Sequence, residues 1–76
     1  MKQSHWASIV AEERVGQWVA WFDGKPEDAQ VGESLWTAAA ALLESAGWDR
    51  FNIEQAQGAY PDQGSTGARF TVPFRD

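Results

Sequence analysis

Apolar and polar positions alternate along this chain with two different periods, and the change between them separates a strand-forming first part from a helix. From His5 to Glu13 the period is two, with His5, Ala7, Ile9 and Ala11 on one face and Trp6, Ser8 and Val10 on the other, which predicts a first strand. Gln17 to Asp23 predicts a second, and Arg14-Val15-Gly16 between them reads as a short hairpin connection. This second strand carries large apolar side chains on both faces: Trp18 and Trp21 lie three apart and cannot share a face of a regular strand. Gly24-Lys25-Pro26-Glu27-Asp28 then has turn chemistry, and Ala29-Gln30-Val31 reads as a short third strand.

At Ser34 the period becomes 3.6. Leu35, Ala39, Leu42, Leu43 and Ala46 form one stripe of a helix of about twelve residues. Ser34 is placed to cap its N-terminus beside Glu33, and Gly47 to close its C-terminus. The small side chains of Ala38 to Ala41 let this helix lie close to a sheet, with Trp36 and Trp48 stapling its two ends. Phe51 to Ala56 alternates as a fourth strand, with Phe51, Ile53 and Gln55 on one face. Ala68 to Arg75 reads as a fifth, with Phe70, Val72 and Phe74 inward and Arg69, Thr71 and Arg75 outward; Pro73 puts it at a sheet edge. The expected fold is therefore α+β over a single domain, residues 1–76: an antiparallel sheet of four or five strands packed on one α-helix, in the order β-β-(β)-α-β-β. One helix covers one face of such a sheet, so the other is solvated, covered by the long 57–67 connection, or in contact with a partner.

Composition narrows the function. A chain of 76 residues buries only roughly 60% of the surface its unfolded form exposes, so every large side chain matters. It has no cysteine, which excludes disulfides and thiolate zinc sites and fits a reducing cytoplasm. The longest apolar run, Ala38 to Leu43, falls far short of the ~20 residues that span a bilayer, and no secretory signal is apparent. The net charge is −5, and residues 12–33 hold six acids against two bases. With no basic cluster to neutralise phosphates, direct nucleic-acid binding is not expected; an acidic patch suits a basic protein partner.

The chain contains no catalytic signature. His5 is the only histidine, Gly32-Glu33-Ser34 lacks the pattern of a nucleophile elbow, and Gly58, Gly64 and Gly67 are followed by neither the Lys-Ser/Thr pair nor the helix of a phosphate loop. Asp23, Glu27, Asp28 and Glu33 surround a turn without the alternating spacing of a calcium loop. No enzymatic activity, metal or cofactor is expected.

Two resemblances sharpen the reading. Trp21 to Leu43, WFDGKPEDAQVGESLWTAAAALL, resembles the core of HicB-like antitoxins, with Gly32-Glu33-Ser34 at the helix start. That family lacks a counterpart here for its Pro-Gly before the short strand and for its C-terminal DNA-binding segment. In size, acidity, absence of cysteine and layout, the whole chain is similar to small phage-encoded anti-CRISPR proteins that act on type I effector complexes, including subtype I-C. This resemblance implies an inhibitor in the cytoplasm of a bacterial host, monomeric or weakly dimeric, that occupies a basic surface where the complex recognises target DNA. The charge distribution then makes Glu12, Glu13, Asp23, Glu27, Asp28 and Glu33 the expected contact residues, joined by Trp18 or Trp21 on the uncovered sheet face. A HicB-like antitoxin binding a small basic toxin is the alternative.

Overall fold

The structure is a computed structural model that describes residues 4–61 and 67–75, with side chains described for 6–61 and 67–73. Its elements in chain order are β1 (Ser4–Arg14), β2 (Gln17–Phe22), β3 (Lys25–Gly32), α1 (Leu35–Ser45), α2 (Arg50–Gln57) and β4 (Gly67–Arg75). The four strands form one antiparallel sheet in the order β3-β2-β1-β4. The α+β class follows the reading above, but the order is β-β-β-α-α-β and two helices, not one, share the covered face.

The second helix is the correction. Phe51 to Ala56 alternates like a strand, yet Asp49 caps the segment as a helix, its carboxylate accepting from the backbone N–H of Asn52 at 2.8 Å and from the Asn52 side-chain amide at 3.0 Å. Asn52 and Ala56, four apart, are buried, with Ile53 packed on the core beside them. The same residues thus satisfy a helical spacing, and the cap decides between the two periods.

The local chemistry of α1 is as expected at both ends. The Ser34 hydroxyl accepts from the Thr37 backbone N–H at 3.2 Å. At the other end Gly47 adopts φ 89°, its N–H donates to the Glu44 carbonyl, and the Trp48 N–H reaches back to the Leu43 carbonyl. These crossed bonds satisfy carbonyls that the helix leaves free and turn Trp48 down onto the core. Ala46, expected in the apolar stripe, is instead the exposed C-cap.

Leu35, Ala38, Leu42 and Leu43 of α1 are fully buried in one core with Ile9, Ala11, Ala20 and Val72 of the sheet, and Ala39 is buried as well. Helix α1 lies mainly over β3 and β2, and α2 lies over β4. Trp36 is partly exposed and meets Tyr60 edge-on with ring centroids 6.2 Å apart, while Tyr60 also packs against Phe70 at 5.5 Å. The described part of the 57–67 connection, with Ala59 and Tyr60 on the core, therefore lies on the helical face and not on the open one. Residues 62–66 of that connection, with Gly64, lie outside the described residues, as do the side chains of His5, Phe74 and Arg75. Strand β4 pairs only with β1 and forms the edge that Pro73 implied.

Strand β3 is longer than expected and irregular. Ala20 pairs with Gln30 and Phe22 with Lys25, so residues 26–29 bulge opposite Trp21 alone. The expected turn over Gly24–Asp28 contracts to Asp23-Gly24, and Pro26, Glu27 and Asp28 become part of a free sheet edge.

Candidate functional site

The two faces of the sheet follow from the register. Ala7, Ile9, Ala11, Trp18, Ala20, Phe22, Phe70 and Val72 point toward the helices. Alternation sends Trp6, Val10, Trp21 and Val19 to the opposite face, where no element of the described chain covers them. The two tryptophans of β2 separate accordingly. Trp18 is 7% exposed and belongs to the core, so it is removed from the expected contact residues, while Trp21 remains on the open face.

On that open face the ladder sets apolar residues side by side: Trp6 across from Pro73, Val10 across from Trp21, and Val19 across from Val31. Trp6 is 68% exposed and Val31 53%. The charged residues among them are paired. Glu12 accepts from the Arg14 guanidinium, which also lies over the Trp21 ring at 5.5 Å from its centroid. Arg69, beside Val10 on β4, reaches Asp23 at 3.5 Å. The open face thus combines apolar pairs with the exposed polar pair Ser8–Thr71, and its described acids are matched by arginines.

The six expected acidic residues therefore do not form one surface. Glu12 and Asp23 are ion-paired at the open face, and Glu13 is exposed near the β1–β2 hairpin end on the side of Trp18. Glu27 and Asp28 lie on the bulged outer edge of β3, and Glu33 follows at its end beside the start of α1. Glu13, Glu27, Asp28 and Glu33 are exposed and make no ion pair among the described residues. Two of these four lie on β3 and Glu33 just past its end, so this edge has a net negative charge even with Lys25 at the start of the strand. Charge counting along the sequence located the acids but not their partners, because the ion pairs bridge strands and depend on register.

Among the described residues, two open grooves lie on the helical face. One is lined by Glu44, Trp48, Arg50, Ile53 and Glu54, the other by Ser34, Trp36, Thr37, Ala40, Ala41, Glu44 and Gln57. Both are open, and neither gathers a nucleophile, a base and an oxyanion donor. Burial pushes the Tyr60 phenol up to about 12, and its hydroxyl is enclosed without a hydrogen-bond partner among the described residues. Its ring lies between Trp36 and Phe70, a packing position. Among the described residues there is no group of three or more His, Cys, Asp or Glu that could hold a metal ion, and no helix long and apolar enough to cross a membrane. No family model, curated protein or solved structure matches the chain.

Proposed function

We propose that the chain is a non-enzymatic inhibitor that occupies a basic protein surface with the acidic edge of its sheet, the concrete case being a DNA-contacting surface of a type I CRISPR effector complex. One observation carries this reading: Glu27 and Asp28 on the free edge of β3, and Glu33 just beyond its end, make no ion pair among the described residues and outnumber Lys25, the one cation of that strand, whereas Glu12 and Asp23 are paired with Arg14 and Arg69. Carboxylates held this way offer a basic groove the negative charge it otherwise finds in phosphates. The type I complex as the particular target comes from the chain's resemblance to anti-CRISPR proteins.

The test is a pull-down of purified effector complex with and without target DNA. Saturating inhibitor should displace the DNA, affinity should fall with salt, and charge reversal at Glu27, Asp28 and Glu33 should abolish capture. Reversal at Glu12 should have a smaller effect. Target DNA retained under saturating inhibitor would rule out a blocking mechanism.

The alternative, a HicB-like antitoxin that binds a small basic toxin, draws support from the start of α1, where Gly32-Glu33-Ser34 forms the close approach and cap of the helix. Growth rescue on coexpression with a neighbouring toxin gene would favour it over the inhibitor.

A further inference from the structure

We propose that a second copy of this chain covers the open sheet face, the two faces packing through Trp6, Val10, Val19, Trp21 and Val31. A solvated face of an antiparallel sheet is ordinarily polar. Here one cross-strand pair on each ladder is apolar, and together they include two tryptophans, with the polar pair Ser8–Thr71 between Trp6–Pro73 and Val10–Trp21. Interface cores favour this composition: aromatic and aliphatic residues in the middle, with Arg and polar groups around them.

Charge points to a copy of this chain as the occupant. The molecule carries a net −5, so two copies repel wherever their acidic surfaces meet. The open face is the exception, because its described acids, Glu12 and Asp23, are matched by Arg14 and Arg69. The excess acids are displayed elsewhere, at the β3 edge and on the helices, where Glu44, Asp49 and Glu54 outnumber Arg50. A basic partner gains charge complementarity at those acidic regions and none at a face whose charges are balanced. A second acidic chain can approach closely only where charge is balanced.

The free edges are poor alternatives for self-association. Edge-to-edge pairing at β3 would meet Pro26, the bulge over 26–29 and like charges at Glu27 and Asp28, and at β4 it would meet Pro73.

The available area fits a modest dimer. Four strands at ~4.8 Å spacing, with the longest running roughly 30 Å, give on the order of 500 Å2 per copy. Two copies then bury at most on the order of 1,000 Å2, below the ~1,200 Å2 of stable specific interfaces and in the range of weak, transient ones. For a chain this short, the added layer also completes a core that a single copy leaves one-sided.

Sedimentation equilibrium of the full chain, followed across concentration together with acrylamide quenching of tryptophan fluorescence, tests the assignment. The expected result is a species of twice 8.4 kDa whose indoles become less quenchable as it forms. Trp6→Glu and Val31→Glu replace exposed side chains, so both variants should keep the wild-type circular dichroism spectrum and melt as the wild type does when diluted to the monomer. Each should weaken the dimer, Trp6→Glu by at least about 30-fold. Raising salt from ~0.05 M to ~0.5 M should leave the dimer intact or strengthen it, opposite to the weakening expected of a basic partner at the β3 edge. A single-chain mass with concentration-independent quenching overturns the proposal, as does a dimer unaffected by both substitutions. A face that becomes protected only when a basic protein is added also overturns it, and assigns the face to that partner.

Discussion

Trp18 and Gly32 stand opposite each other on the β2–β3 ladder, the largest side chain on the core face of β2 set against a position with none. The vacancy at Gly32 is filled by the backbone of α1: a Cβ there would lie 2.4 Å from the amide nitrogen of Ala38 and 2.8 Å from the carbonyl carbon of Thr37. Helix and edge strand can therefore approach closely at the helix N-terminus, and the indole of Trp18 is enclosed as part of the same core. Because the obstruction is backbone and not a flexible side chain, Gly32→Ala must displace α1. The expected cost is about 3 kcal/mol, the upper end for overpacked cores. A thermal melt should show Tm reduced by more than about 10 °C, and an unchanged melt would mean that the approach is looser than described.

The β1–β2 hairpin turns on Val15 at φ 50° and Gly16 at φ 80°. A β-branched residue is disfavoured in the left-handed region, and Val15 is fully exposed, so no packing repays the strain. Val15→Asn supplies the residue that two-residue turns with two positive φ angles prefer. Stability should rise by about 1 kcal/mol, read as a higher midpoint in urea with an unchanged slope.

Asp49 holds α2 in place through its bonds to the backbone and side chain of Asn52, which is 2% exposed. Asp49→Ala removes the cap and one partner of a buried amide together, a loss of about 1–3 kcal/mol. Asp49→Asn keeps an acceptor and should recover most of it. Equal losses in the two variants would show that the carboxylate charge, not the cap geometry, supplies the stability.

The Tyr60 hydroxyl is buried without a partner among the described residues, so Tyr60→Phe removes a desolvated polar group while keeping the ring between Trp36 and Phe70. The variant should be at least as stable as the parent at neutral pH. Burial raises the phenol from 10.0 to about 12 in the folded chain, so the native state holds its proton more tightly than the unfolded state. That contribution is complete below pH 10 and is lost as pH rises toward 12. Alkaline destabilisation over this window should be shallower in Tyr60→Phe, and parallel pH curves for the two proteins would contradict the burial of the hydroxyl.

The regular elements were legible where local chemistry and periodicity agreed. β1, the core of β2 and the stripe of α1 with its Ser34 and Gly47 ends could be read directly, and Pro73 gave the sheet edge. Helix α2 was misread because Phe51, Ile53 and Gln55 alternate while Asn52 and Ala56 also fall on one helical face; Asp49 as a cap was the signal that separates the two. The division of Trp18 from Trp21 could be read from their spacing, but which of them faces the core depends on tertiary packing. The site was legible only as a region rich in acids. That Glu12 and Asp23 are neutralised and the β3 acids are not depends on cross-strand register and a bulge, which one-dimensional spacing does not encode.

The central position of β1 ties the two ends of the fold together: Ser4 pairs with Arg75 and Glu12 with Gly67 along the whole β1–β4 ladder. Strand β1 is made well before β4 and waits for it before its second edge is satisfied. Until then β1 remains an unpaired template, with Ile9 and Ala11 lacking the cover of Val72 and Phe70. Closure spans β2, β3 and both helices, so its entropy is lost before its contacts are gained, and this domain should fold slowly for its size. Anything that holds β4 away from β1 during synthesis would leave an aggregation-prone edge.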